Sequence, residues 1–270
     1  LFQGPTIRQL ATLIEGYEER KKVSYCQWLG GSGTSEPFFA GGSHPRYADL
    51  LEETTRIRPV YRLDVYAFQS ARWQNGQALC DEVEEIASDM LKEIRTIQPR
   101  GPYFLGGACE GALVALEQAR QLEAAGETVA CLLLWTTPTI LSPMRKPAYW
   151  YSTIRRFARH TRNLLSKGSI RSFSLREWRT LIKHEYMEFV IFSAMEKYRP
   201  NGRINATTTM IWPSEAASHM EVLENHWKQY TNDKLTVYTV KGEHDSWLDE
   251  STFELGNLLA ERISGAASYP

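Results

Sequence analysis

Apolar residues recur along this chain with two periods, and the switches between them set out its elements. Compact apolar runs of about four to eight residues read as strands. They fall at Pro37 to Ala40, Val60 to Val65, Tyr103 to Gly106, Thr128 to Trp135, Thr207 to Trp212 and Leu235 to Val240. Thr128 to Trp135 is continuously apolar, as a strand buried on both faces of a parallel sheet would be. Elsewhere the apolar positions recur every three or four residues. Cys80 to Gln98 puts Val83, Ile86, Met90, Ile94 and Ile97 on one helical face. Further helices are predicted over Tyr47 to Thr54, Ala112 to Ala125 and Ser251 to Arg262. Strands alternating with helices predict an α/β fold built on a mostly parallel sheet flanked by helices.

Two stretches depart from that alternation. Ser142 to Asn205 predicts helices, Tyr149 to Leu165 and Leu175 to Lys197, with no strand between them. An insertion of this kind, about residues 142–205, is either a lid or a plain helical cap. At the other end, Ile7, Leu10, Leu13 and Ile14 share a helical face within Leu1 to Arg20. Glu15 to Lys22 then reads as a short charged linker. Residues 1–22 are thus set apart from a main domain over residues 23–270.

Composition narrows the class. A chain of 270 residues with 43% apolar and 23% charged residues has the balance of a globular α/β domain. Its formal net charge of −1 argues against general nucleic-acid binding. No apolar run approaches the length of a membrane span. Cys26, Cys80, Cys109 and Cys131 are scattered, with no C-x-x-C pair and no histidine spacing suited to zinc, so no metal ligands are expected. Free thiols in a reducing cytoplasm follow from that usage.

Charge is uneven, however. Between Arg145 and Lys183 there are eleven Lys and Arg residues and one acid, Glu177, so this stretch is +10 and the rest of the chain −11. Such a run forms a solvated face, a docking surface for an acidic partner, or a lining that holds an anionic substrate group. On the last reading Arg155, Arg156 and Arg159 are the candidates.

The chemistry centres on Gly107-Ala108-Cys109-Glu110-Gly111, between a predicted strand and a predicted helix. This is the setting of the G-x-S-x-G elbow of α/β-hydrolases, with sulfur in place of the hydroxyl. A thiol at a helix N-terminus is favoured as thiolate. An ionised Glu110 would oppose that effect, or serve as a local acid or base. Gly30-Gly31-Ser32-Gly33-Thr34 lacks the lysine of a phosphate-binding loop and reads as a hairpin or flexible turn.

The run GPYFLGGACEGALVALEQARQLEAAGETVACLLLWTTP, Gly101 to Pro138, resembles the thioesterase domains that end nonribosomal peptide and polyketide synthetases. Ala40-Gly41-Gly42-Ser43 followed by Tyr47-Ala48 resembles that family's Gly-rich loop. Gly242-Glu243-His244-Asp245-Ser246-Trp247-Leu248 resembles its G-x-H-x-x-x-L segment. The likeness runs from Ser24 to Ile263. It implies an α/β-hydrolase with a helical lid and no cofactor of its own. It also implies an acyl substrate delivered on the phosphopantetheine arm of an upstream carrier domain, and a domain acting as a monomer. Cys109 is then the nucleophile and His244 the general base. The backbone amides of Glu110 and of Ala40-Gly41 are the oxyanion donors. Leu1 to Glu15 resembles the last helix of a carrier domain, and Leu1-Phe2-Gln3-Gly4-Pro5 also matches the site of a picornaviral protease used to remove tags.

Three positions depart from the family. Cys109 replaces serine, Glu110 replaces an apolar residue, and Thr136 stands at the usual aspartate position. Glu215, just after a late strand, is the candidate replacement acid. Cysteine nucleophiles resemble those of thioesterases that close four-membered β-lactone or β-lactam rings. With the basic stretch, this points to cyclising release of a β-lactam of the monobactam type. β-Lactone formation, macrocyclisation, hydrolytic release, a stand-alone editing thioesterase and an inactive carrier-binding relic are the alternatives.

Overall fold

A computed structural model describes residues 25–43, 46–135, 175–214, 220–232, 235–241 and 252–267. Seven strands, β1 Cys26–Gly30, β2 Phe38–Gly41, β3 Val60–Leu63, β4 Tyr103–Ala108, β5 Val129–Trp135, β6 Thr207–Pro213 and β7 Leu235–Val240, form one sheet. Their order is β1-β3-β2-β4-β5-β6-β7, and all neighbours run parallel except β1, which lies antiparallel on β3 at the edge. The predicted α/β class with a mostly parallel, helix-flanked sheet is therefore observed.

Both faces of the sheet are covered, and side-chain alternation divides the core in two. Phe39, Leu63, Leu105, Leu132, Leu134 and Met210 point to one layer. There they meet α3 Val65–Gln74, α4 Val83–Ile97, α5 Glu110–Ala124, α6 Leu175–Lys197 and α7 Met220–Lys228. Phe38, Phe104, Cys131, Leu133, Trp135 and Ile211 point to the other layer. That layer holds α1 Tyr47–Leu50, α2 Glu52–Thr55 and α8 Thr252–Ala267, the last through Leu255, Leu259 and Ile263.

Helix α4 shows how the pattern becomes structure. Val83, Ile86, Met90 and Ile94 are buried, each contributing about 1.5–3 kcal/mol of apolar burial. The helix begins at Val83, not at Cys80. The Gln69 side chain explains this, donating Nε2 to the Cys80 carbonyl (2.6 Å) and accepting from the Cys80 amide (2.9 Å). Those two bonds hold Cys80 outside the helix.

Other differences have equally local causes. The strand expected to reach Val65 stops at Leu63, because the Asp64 side chain accepts from the Ala67 amide (2.9 Å) and caps α3. The single helix expected over Tyr47 to Thr54 is two short ones. The β1 strand and the α3 and α7 helices were not anticipated. The predicted Leu175–Lys197 helix is present with those ends as α6. It lies on α3, where Lys183 Nζ donates to Ser70 Oγ (3.0 Å) and His184 stacks on Tyr66. The first predicted insertion helix, Tyr149 to Leu165, and the segment 1–22 lie outside the described residues.

Candidate active site

The direction of chain travel reverses between β2 and β4. From β2 the chain passes to the layer holding α1 and α2, and from β4 to the layer holding α5. Loops that part to opposite faces leave a crevice at the carboxyl ends of the strands, where α/β folds place their chemistry. Cys109 sits at this point, between the end of β4 and the first residue of α5.

Cys109 has φ 48° and ψ −120°, and it alone among the described non-glycine residues has positive φ. A side chain in that region is strained, which persists only where the surroundings impose it. Here the surroundings are glycine backbones. A Cβ on Gly111 would fall 2.4 Å from the Gly41 carbonyl carbon, and one on Gly107 would fall 2.4 Å from the Gly111 oxygen. Strand β2, strand β4 and the first turn of α5 are thus in backbone contact, and the elbow between them has no room to relax. Cys109 remains half-buried, whereas Cys26, Cys80 and Cys131 are buried. Burial pushes each of those three thiols up to about 12.

Glu110 extends the site. Its carboxylate Oε1 accepts a hydrogen bond from Ser43 Oγ at 2.6 Å, across the crevice. Desolvation pushes the Glu110 carboxyl above its ordinary range. The neighbouring Asp64 and Glu188 push it further the same way, while the Ser43 bond draws it down. A carboxyl shifted towards its neutral form opposes a thiolate less than the sequence alone implies. Asp64 is itself held by Arg62 (3.3 Å) and by the α3 cap. Glu188 comes from α6, so the insertion helix borders the site. On the same helix His184, Glu185 and Glu188 bring one donor atom each within 4.8 Å of one another.

Of the residues expected from sequence, Cys109, Glu110, Ala40 and Gly41 come together here. Ala40 and Gly41 are strand residues, in register with Arg62 and Leu63 on one side and with Gly106 and Gly107 on the other. His244, Glu215, Thr136, Arg155, Arg156 and Arg159 lie outside the described residues. Glu215 follows the end of β6 closely in sequence, since that strand closes at Pro213. Ser43, Asp64 and Glu188 were not anticipated as partners of the site. Ser43 lay inside the quoted Gly-rich loop, but only the fold shows its link to Glu110.

A seven-stranded sheet with this strand order, helices on both faces and a strained residue between β4 and a helix defines an α/β-hydrolase. A family model described as "Thioesterase domain" matches residues 39–255, and the chain belongs to that family. It is 28% identical over 199 residues to the nonribosomal peptide synthetase apvA of Aspergillus terreus, which covers 73% of this chain and 21% of that protein. It is 33% identical over 138 residues to a dimodular nonribosomal peptide synthase of Bacillus subtilis, covering 50% of this chain and 6% of that protein. The chain therefore spans a small part of these relatives.

Among solved structures the fold matches the NocB thioesterase domain in covalent complex with a fluorophosphonate nocardicin G analog. The TM-score is 0.62 at 22% identity, covering 91% of this chain and all of that one. It also matches the type II thioesterase BorB of the borrelidin cluster, with TM-score 0.65 at 20% identity, covering 88% and 97%. No helix among the described residues is long and apolar enough to cross a membrane.

Proposed function

We propose that this domain releases an acyl chain from a carrier protein through a covalent Cys109 intermediate. The observation that carries the reading is the strained φ of Cys109 at the first turn of α5, in a chain of the thioesterase family. Cys109 sulfur attacks the carbonyl of the carrier-bound thioester, and the carrier's phosphopantetheine thiol leaves. The product is a second thioester, on Cys109, with its acyl-transfer potential retained. His244 takes the nucleophile's proton and returns one to the departing sulfur, and Glu215 orients the imidazole. A thiolate depends less on such an orienter than an alkoxide does, which fits a chain with Thr136 at the family's aspartate position. The enzyme needs no cofactor of its own in this scheme.

A nitrogen of the acyl chain then attacks the thioester carbonyl, the bond to the Cys109 sulfur breaks, and the nitrogen's proton passes through His244 to that sulfur as the β-lactam ring closes. A thioester favours amine attack over hydrolysis, and that suits a strained closure. Arg155, Arg156 and Arg159 hold an anionic substituent on that nitrogen, as a monobactam precursor would carry. On this reading residues 1–22 are the end of the carrier domain and its linker, and residues 142–205 form the lid.

Intact-protein mass after exposure to a soluble peptidyl thioester tests the scheme. The wild-type chain gains the acyl mass, and Cys109→Ala does not. Replacing His244 slows turnover by at least about a hundredfold. Product mass separates a ring from a linear acid. Undiminished release by Cys109→Ala overturns the mechanism, and a linear acid as sole product overturns the ring.

A further inference from the structure

Helix α6 carries a group of donor side chains that the proposed acyl transfer does not use. His184 is exposed, and Glu185 and Glu188 are half-buried. One imidazole nitrogen and two carboxylate oxygens from them lie within 4.8 Å of one another. Helical spacing brings this about, because Glu188 stands at i+4 from His184 and at i+3 from Glu185. The imidazole is held from outside the helix, stacked on Tyr66 of α3 with ring centroids 5.8 Å apart and planes at 17°. Two carboxylates at i,i+3 repel each other, and a cation between them removes that cost. Lys183, the cation next in the chain, is turned to α3. There its Nζ donates to Ser70 Oγ at 3.0 Å and lies 6.0 Å from the centre of the Trp73 ring. The expectation of no metal ligands rests on cysteine and histidine spacing, and carboxylates within a turn of a histidine fall outside that test.

We propose that His184, Glu185 and Glu188 bind one zinc ion on α6, with a fourth position left to water. Zinc takes imidazole nitrogen and carboxylate oxygen at about 2.0–2.2 Å in a tetrahedral shell. Donors on such a shell lie about 3.3 Å apart, so the three atoms have at most about 1.5 Å to close. Side-chain rotation supplies that without moving the helix backbone. The donor set selects the metal. Calcium and magnesium are held by oxygen, whereas an imidazole suits zinc, copper, nickel and iron. Zinc among these brings no redox chemistry with it. Three protein ligands are the number at which zinc keeps a place for water, or for an oxygen of a bound molecule. The ion ties one turn of α6 together, and Glu188 of that turn acts on Glu110 beside Cys109. Zinc thus stiffens the helix at the edge of the candidate active site. The site stands whether or not Cys109 forms an acyl-enzyme.

Titration of the full chain with zinc chloride tests the site, read by calorimetry and by competition with a chromophoric chelator. The chain carries Cys109→Ala throughout, so that the thiol supplies no rival ligand. One zinc ion per chain binds with Kd below about 100 μM. Adding His184→Ala or Glu188→Gln weakens binding by more than about tenfold, since loss of even an outer partner of a metal ligand costs 10–100-fold. His226→Ala, on α7, leaves the affinity unchanged. Saturating zinc raises the melting temperature, and His184→Ala abolishes the rise. Cobalt(II) in place of zinc gives the strong visible absorption of a four-coordinate ion. Weaker binding, an adventitious ion only, overturns the site. So does affinity that survives both ligand substitutions, an equal loss in His226→Ala, or a cobalt spectrum like that of the ion in water. Metal-free melts confirm that each variant folds. Where Glu188→Gln does not, the exposed His184→Ala decides the matter.

Discussion

Tyr198 Oη donates to Glu117 Oε2 at 2.9 Å, joining the end of helix α6 to the middle of helix α5 inside the core. Glu117 is fully buried, and Arg120 grips its two oxygens at 2.7 and 2.6 Å while Gln121 donates at 2.9 Å. A buried carboxylate is tolerable only when so satisfied. Burial, and then the Glu117 charge, push the Tyr198 hydroxyl up, so it stays a donor through the neutral range. Helix α5 carries the elbow and α6 belongs to the insertion, so this network sets one against the other. Tyr198→Phe is expected to cost about 2 kcal/mol, the range of a hydrogen bond to a charged group. Urea denaturation measures it, and a loss below about 0.5 kcal/mol would show the bond to be dispensable.

Thiol reactivity should single out one cysteine. Cys26, Cys80 and Cys131 are buried with thiols pushed up to about 12, and Cys109 is half-exposed. Thiolate is the reacting species. The folded protein should therefore take up one equivalent of iodoacetamide near neutral pH and four after denaturation. Peptide mapping that finds the first label on any residue but Cys109 would contradict the site geometry.

The Glu110 carboxyl makes stability depend on pH. Its folded-state value is raised, mainly by desolvation, with Asp64 and Glu188 adding to it and Ser43 opposing. A raised value means that the folded chain holds the proton more tightly. The stabilisation is complete below the ordinary carboxyl range and is lost as pH rises through the folded value. Glu110→Gln removes that dependence. Its stability relative to wild type should increase as pH rises above the ordinary carboxyl range and level off once the folded carboxyl has ionised. A difference that stays flat across this window would place the carboxyl at its ordinary value.

Two glycines predict opposite outcomes for the same substitution. Gly111→Ala drives a Cβ into the Gly41 backbone at 2.4 to 2.5 Å, and neither main chain can yield. Overpacking of this kind costs about 1–3 kcal/mol or more and should distort the elbow, so thioester turnover falls with stability. Gly265, within α8, has nothing within 4 Å of an added Cβ. Gly265→Ala should stabilise by about 0.5–1 kcal/mol through helix propensity. Thermal melts of the two variants test the pair, and a harmless Gly111→Ala would mean that the backbone contact is looser than drawn.

What the sequence determined by itself was the alternation of elements and the location of the nucleophile. Thr128 to Trp135 was readable as a buried strand because it is apolar at every position from Val129 onward. The Cys80 to Gln98 helix was readable from its one-sided stripe, which needs only local periodicity. The elbow was readable because glycine spacing around Cys109 is a local demand for close backbone approach. Elements with weak local signals were missed. β1 is five residues at the sheet edge with Trp28 exposed, and α3 buries only Val65, Phe68 and Gln69. The Asp64 cap was written in the chain, yet an apolar run continuing to Val65 masked it. The tertiary structure alone decided which groups meet at the site. Ser43 meets Glu110, and Asp64 and Glu188 act on the same carboxyl, because the chain reverses direction between β2 and β4 and α6 returns across that edge. Periodicity reports which face a residue turns to its own element's surface. It carries no record of which distant loop closes over that face, and here Ser43 and Glu188 reach Glu110 from remote parts of the sequence.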